Sequence, residues 1–212
     1  MSYVLSRHDV DSISLNDIKV MAKSQYQKLW NAAYSYNRDL KIYLNWTAGR
    51  YSQFWDDYHL QVDYDGKIYI PSDVELSTIL PATYARNAGS VAITALCGYT
   101  SNTKSLGSEK ITTEQIETIS RIIAVLSQYL NVPIDKKHVL THGEAADNED
   151  GLYLHDNYGP KNTCERWDLE YLGTYESPKF NPYNEASRGG TILRGKALWY
   201  KNTYAAEVEK HF

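Results

Sequence analysis

Three short stretches of the chain carry side chains that can bind a metal ion and activate water. They are DYH at residues 57–59, THGE at residues 141–144 and ERWD at residues 165–168. Together they supply a phenol, an imidazole and several carboxylates from separate parts of the chain. These are the groups that hold a catalytic metal ion and stabilise charge during hydrolysis. The sequence therefore predicts a hydrolase.

Two histidines near residue 140 are candidates for binding such an ion. In an extended strand, His138 and His142 point to the same face but lie about 13 Å apart, which is too far to share one ion. His142 is preferred because it falls where a strand gives way to a loop, and open α/β sheets place their binding sites there. A hydrogen-bonded or solvent-facing histidine at a strand end is the simpler alternative.

An acid and an arginine on the next polar segment support His142 as a ligand. Asp168 is the candidate second ligand, and Arg166 can face the same reacting oxygen and stabilise an oxyanion. The alternative role for Asp168 is to cap a short helix that begins at Leu169. Cys164, on the same segment, is an alternative soft ligand for zinc.

The elements that must position these groups follow an α/β pattern. Capping signals at Ser14 and Thr112, each followed by apolar residues at helical spacing, predict two long helices, and Pro133 ends the second. Asp-Gly at residues 65–66 predicts a hairpin, and residues 143–163 read as a long polar loop. Short β-prone runs predict strands at residues 41–44, 58–62, 67–70, 90–96 and 138–141, with 90–96 in the middle of the sheet.

Composition narrows the range of partners. The chain has 212 residues, 42% of them hydrophobic, and a net charge of −4, which argues against nucleic acid as the main partner. It contains no apolar run of the roughly 20 residues that a membrane span needs. The polar start lacks the apolar core of a signal peptide, so we expect synthesis in the cytoplasm without one.

We expect one catalytic domain over residues 1–184, with residues 185–212 packed on it or forming an interaction arm.

Several pieces of residues 42–172 carry a family resemblance through their order along the chain. They are LNWTAG at 44–49, YHLQV at 58–62, DG at 65–66, RNAGSVAI at 86–93, the helix at 112–130, THGE at 141–144 and RWDL at 166–169. No single piece is decisive, but the ordered set resembles the zinc-dependent N-acetylmuramoyl-L-alanine amidases. That group includes phage amidase lysozymes and peptidoglycan recognition proteins.

The resemblance implies a fold, a cofactor and a reaction. The fold is α/β, with a mixed central sheet flanked by helices on both faces and a zinc ion in a groove at its edge. The reaction is cleavage of the amide between N-acetylmuramic acid and L-alanine of the stem peptide. By this resemblance His142 and Asp168 bind zinc, and Tyr58 contacts the attacking water or the tetrahedral intermediate. Arg166 takes the place of a basic residue, often lysine, two residues before the last ligand.

The chain departs from the family pattern at Asn45, where the first zinc histidine would stand. A neutral amide binds zinc weakly compared with imidazole. Three explanations remain open: a natural site with a weak or substituted ligand, a metal-free descendant that only binds cell wall, or a deliberate His-to-Asn change. His155 on the long loop is an alternative ligand, and His8 is another. His59 is a poor one, because neighbours in a strand face opposite sides and Tyr58 is needed on the metal side.

The leading expectation is a monomeric, endolysin-like zinc amidase, of prophage type, that degrades peptidoglycan after release or delivery to the cell wall. Arg50, Arg86 and Trp46 are the candidate substrate-binding residues, since arginines can receive stem-peptide carboxylates. The alternative is a non-catalytic muropeptide-binding module of the same fold. A cysteine peptidase using Cys164 or Cys97 is a weaker alternative, because neither cysteine shows a nucleophile motif.

Overall fold

A computed structural model describes residues 3–154 and 167–208, with side chains through residue 203. The strands are β1 (Val4–Leu5), β2 (Val10–Ile13), β3 (Lys41–Trp46), β4 (Phe54–Trp55), β5 (Leu60–Val62), β6 (Ile68–Pro71), β7 (Ser90–Ala95) and β8 (Val139–Thr141). The helices are α1 (Leu15–Ser35), α2 (Thr113–Leu130), α3 (His142–Ala146) and α4 (Gly189–Val208), with 3₁₀ turns at Arg7–Asp9 and Glu185–Ser187.

Six of the strands form one mixed sheet in the order β2-β6-β5-β7-β3-β8. Strands β5, β7, β3 and β8 are parallel, whereas β6 and β2 join by antiparallel pairing. The predicted hairpin is β5–β6, and β7 lies inside the sheet as its apolar sequence predicts. Strands β1 and β4 pair separately. The α/β class with a mixed sheet flanked by helices is confirmed.

The main core lies between one face of the sheet and three helices. Ile42 and Leu44 of β3 share a buried cluster with apolar residues of α1, α2 and α4. Tyr43, on the opposite face, packs with Leu140 and with Ala145 of α3. The sheet therefore carries long helices on one face and the short α3 on the other.

Local signals explain where the two long predicted helices begin. The Ser14 side chain accepts from the Asp17 backbone N–H at the start of α1, and Thr112 accepts from Gln115 in the same way at α2. Each is a complete capping box, which satisfies backbone groups that a helix start leaves without partners. Helix α2 ends at Leu130, and the next residue, Asn131, has a φ of 55°, the left-handed conformation common just after helices.

Two segments differ from the prediction. Residues 142–146 form α3 where a loop was expected, because Thr141 and Glu144 make a further capping box. Leu169 lies in a turn with φ of 60°, so Asp168 does not cap a helix there.

Helix α4 packs against α2 and β8. None of the helices in the described residues has the length and apolarity needed to cross a bilayer.

Candidate active site at the carboxyl edge of the sheet

The candidate site begins where two parallel neighbours, β3 and β8, end side by side. Leu44 pairs with Thr141 in the last registered pair, so the next residues along the two strands are Asn45 and His142. Side chains alternate along a strand, which puts Asn45 on the same face as Tyr43, away from the main core. The carboxyl ends of parallel strands are where α/β sheets bind ligands. The amide and the imidazole are therefore brought to one edge.

Asp168 reaches the same edge from a segment 26 residues further along the chain. Its Oδ2 lies 3.2 Å from His142 Nδ1, and the two side chains are only 15% and 18% exposed. The neighbouring Trp167 ring packs edge-on against Trp46, with ring centroids 4.9 Å apart. Trp46 is buried, so its ring does not line an open groove as a substrate-binding residue would. Its contact with Trp167 instead holds the segment that carries Asp168.

Three buried polar atoms at this edge have no hydrogen-bond partner within residues 3–154 and 167–208. They are Nε2 of His142 and both Oδ1 and Nδ2 of Asn45. A buried polar group without a partner costs about 1–3 kcal/mol, so folded proteins rarely keep several together. This concentration at the end of β3 and β8 is typical of a site that takes up a ligand, an ion or a substrate group.

Tyr58 lies within electrostatic reach of Asp168. Burial raises the pKa of Tyr58, and the nearby carboxylates of Asp168 and Asp57 raise that pKa further. The phenol therefore stays protonated at neutral pH and can donate a hydrogen bond. The structure thus brings the imidazole and the carboxylate into contact, and the phenol lies within electrostatic reach of that carboxylate.

The pair of His142 and Asp168 fits a zinc ion in donor type and in spacing. Without a metal, Nδ1 and Oδ2 are in hydrogen-bond contact at 3.2 Å. Two ligands with bonds of about 2.0–2.1 Å to one tetrahedral ion lie about 3.3 Å apart, so the same pair can also bind one ion. In the described parts of the chain, no group of three or more His, Cys, Asp or Glu side chains is placed to hold a metal ion. Asn45 supplies an unpartnered amide as a weaker donor beside the two strong ones.

Two other histidines are unsuited to the site. His59 is fully buried, its Nδ1 accepts from the Ala92 N–H, and its Nε2 lies 2.7 Å from the Thr78 carbonyl oxygen. Burial lowers the pKa of His59 to about 4, so the ring is neutral and both nitrogens are occupied. His8 is exposed in the turn before β2, at the sheet edge opposite β8. Neither ring is placed to replace the missing ligand.

The two candidate substrate-binding arginines have different surroundings. Arg86 is 1% exposed, and its guanidinium binds the Asp150 carboxylate at 2.6 Å and the Asn148 amide oxygen at 2.9 Å. Its burial corrects the expectation that it faces a substrate groove. Arg50 is more than half exposed, forms an ion pair with Glu109 and lies over the Tyr99 ring. Of the two, only Arg50 presents charge to the solvent.

Cys97 is fully buried in the main core. Burial raises the pKa of its thiol, and the Asp168 charge adds to that shift, so the thiolate that a cysteine peptidase needs is disfavoured. Arg166, Cys164 and His155 lie outside the described residues. The oxyanion-stabilising arginine and both alternative ligands stay predictions.

Sequence reasoning missed two buried glutamates beside the candidate ligands. Glu144 and Glu170 stand two residues after His142 and Asp168, and both are almost fully buried. The T-x-x-E pattern at residues 141–144 is a capping-box signal that identifies Glu144. No local pattern marks Glu170, because its partner Arg188 is 18 residues away.

Comparisons with known proteins give only distant similarities. No protein-family model matches the chain, and no curated protein matches it. Among solved structures, the chain is similar to the endolysin N-acetylmuramoyl-L-alanine amidase LysCS from Clostridium intestinale URNW, with 14% identity and a TM-score of 0.38, covering 57% of this chain and 75% of that one. The N-acetylmuramoyl-L-alanine amidase LysC from the same organism is similar at 13% identity and a TM-score of 0.38, covering 57% and 76%. Similarities this distant do not place the chain in a family.

Proposed function

We propose that this chain is a zinc-dependent peptidoglycan hydrolase that cleaves the amide between N-acetylmuramic acid and L-alanine of the stem peptide. The observation that carries the proposal is the approach of His142 Nδ1 to Asp168 Oδ2 at 3.2 Å. The unpartnered Asn45 amide at the same edge supports it, as does the Tyr58 phenol, which lies just before β5 and within electrostatic reach of Asp168. The substrate follows from the ordered motifs that resemble the amidases, and not from the sheet geometry.

Each residue of the site has a separate proposed role in hydrolysis. His142 and Asp168 are the proposed metal ligands, with the Asn45 amide oxygen as a weak third donor. A zinc ion held there supplies a Lewis acid and lowers the pKa of water toward neutrality. Tyr58, kept protonated by burial, donates a hydrogen bond to the oxygen that becomes negative as the amide is attacked. Arg166 is the proposed second source of positive charge for that oxygen.

Digestion of purified sacculi tests the proposal. We expect the zinc-loaded protein to release free stem peptides with a new N-terminal alanine, and we expect chelation to stop the release. The His142→Ala variant removes one proposed ligand and should be inactive under the same conditions. Sacculi that stay intact with zinc supplied would overturn the proposed function.

A specific observation favours a second candidate function, a muropeptide-binding module without catalysis. Asn45 stands where the family pattern has a histidine, and the described residues hold no group of three strong metal donors. A binder would retain muropeptide affinity in metal-free protein, whereas the amidase should require zinc for turnover. Calorimetry of a muropeptide with metal-free and zinc-loaded protein separates the two.

A further inference from the structure

Two buried arginines near the start of α4 each bind one buried glutamate through two N–H groups. Arg188 donates from Nε and Nη2 to the two carboxylate oxygens of Glu170, both at 2.9 Å. Arg194 donates from Nη1 and Nη2 to Glu144, at 2.7 and 2.8 Å. Paired N–H bonds to one carboxylate fix its orientation as well as its position.

The two glutamates lie next to the proposed ligands. Glu144 follows His142 by two residues, and Glu170 follows Asp168 by two residues. The Thr141 hydroxyl links the pairs, because it accepts from the Glu144 N–H and lies 3.2 Å from a Glu170 carboxylate oxygen. One polar network thus joins the residue before His142 to the segment that carries Asp168.

The first residue of α4 lies directly against the backbone beside Asp168. The Gly189 N–H donates to the Glu170 carbonyl oxygen at 3.1 Å. A Cβ on Gly189 would lie 1.8 Å from the Leu169 carbonyl oxygen, so only glycine fits without moving that backbone. Gly195, later in the same helix, has no atom within 4 Å of its equivalent position.

Stability alone is a weak explanation for this arrangement. Desolvation offsets most of the attraction in a buried ion pair, so hydrophobic residues of similar volume often stabilise a fold at least as well. The paired bonds fix the orientation of the Glu144 and Glu170 carboxylates. These two residues are close in sequence to His142 and Asp168, the side chains that must reach one ion. Positioning of metal ligands by surrounding hydrogen bonds typically changes metal affinity about 10–100-fold.

We propose that the start of α4 is a positioning element for the metal site, with Arg188 and Arg194 as positioning residues. They hold Glu170 and Glu144 and thereby fix the backbone that presents Asp168 and His142. The proposal rests on the proposed function, since it takes those two residues as zinc ligands. It also gives part of the segment 185–212 a role in the site.

Three variants test the proposal through zinc affinity, measured by competition with a chromogenic chelator. Arg188→Lys keeps the charge but loses the paired N–H geometry, and Gly189→Ala displaces the Leu169 backbone without removing any charge. Gly195→Ala on the same helix is the matched control. We expect zinc affinity to fall about 10–100-fold in the first two variants and to stay unchanged in the control.

Cooperative thermal unfolding without metal establishes which variants are folded, and affinity is compared below their unfolding transitions. If Gly189→Ala fails to fold, Arg188→Lys decides the matter. Folded variants that bind zinc as tightly as the wild type would overturn the proposal. If the wild type itself binds no zinc, the proposed function fails separately. The ring ¹⁵N–¹H NMR signals of His142 then decide: a shift in Arg188→Lys but not in Gly195→Ala supports positioning, and unchanged signals in both refute it.

Discussion

Replacing Asn45 with leucine should stabilise the metal-free protein. The Asn45 side chain is fully buried, and neither its oxygen nor its nitrogen has a partner in residues 3–154 and 167–208. At about 1–3 kcal/mol for each unsatisfied group, the two atoms together cost about 2–6 kcal/mol. Fitting the branched leucine side chain into a site shaped for asparagine costs about 1–3 kcal/mol of this gain. The central values, a gain of about 4 kcal/mol and a cost of about 2 kcal/mol, give a net gain of about 2 kcal/mol, which raises the Tm by about 4–8 °C.

Urea denaturation of metal-free protein measures this gain as a shift in midpoint at constant slope. Gln61→Met is the matched control, because Gln61 is equally buried but its amide exchanges two hydrogen bonds with the Trp55 backbone, at 2.7 and 2.9 Å. That control should lose about 1–3 kcal/mol, since it leaves the Trp55 groups without partners. If Asn45→Leu is destabilising to a similar extent, the Asn45 amide has a partner and the reasoning about the site is wrong.

Three further predictions follow from single side chains. His59 is neutral in the fold, with a pKa of about 4 against about 6.5 when unfolded. It therefore contributes stability that is present above pH 6.5 and falls by about 2–3 kcal/mol by pH 4.5. Urea titrations at pH 6.5 and 4.5 should show a change with pH that is less favourable by this amount in the wild type than in His59→Gln. Arg86→Met leaves the Asp150 carboxylate buried without its ion-pair partner and should lower the free energy of unfolding by about 3–5 kcal/mol. An unchanged melting curve would contradict the structural role of Arg86. Arg50→Gln removes an exposed charge and should change stability by less than about 1 kcal/mol while weakening muropeptide binding in calorimetry; unchanged binding would exclude Arg50 from the substrate groove.

Much of the fold could be predicted because its signals are local. The capping boxes at Ser14 and Thr112 mark the starts of α1 and α2, and Asp65-Gly66 marks the β5–β6 turn. Each signal lies within a few residues of the structure that it specifies. The capping box of α3 is also a local signal, but a helix of five residues depends on tertiary contacts such as the Glu144–Arg194 pair, fifty residues apart. The Gly-Gly start of α4 has no local helix signal.

The candidate site was predicted in part for a related reason. His142 and Asp168 were identified by donor chemistry and motif order, and the parallel pairing of β3 with β8 accounts for the placement of His142 beside Asn45. The burial of Arg86 could not be read from the sequence, because its partner Asp150 is 64 residues away. Composition shows that an arginine is present, but only the fold determines whether its charge is neutralised inside or presented to solvent.

Zinc stoichiometry in three proteins tests the central claim most directly. After equilibration with zinc and removal of the excess, elemental analysis should find about one zinc ion per wild-type chain. His142→Ala and Asp168→Ala should each lose most of it, because each removes one of the two strong donors that lie 3.2 Å apart. A wild-type protein without zinc, or alanine variants that keep it fully, would contradict the account.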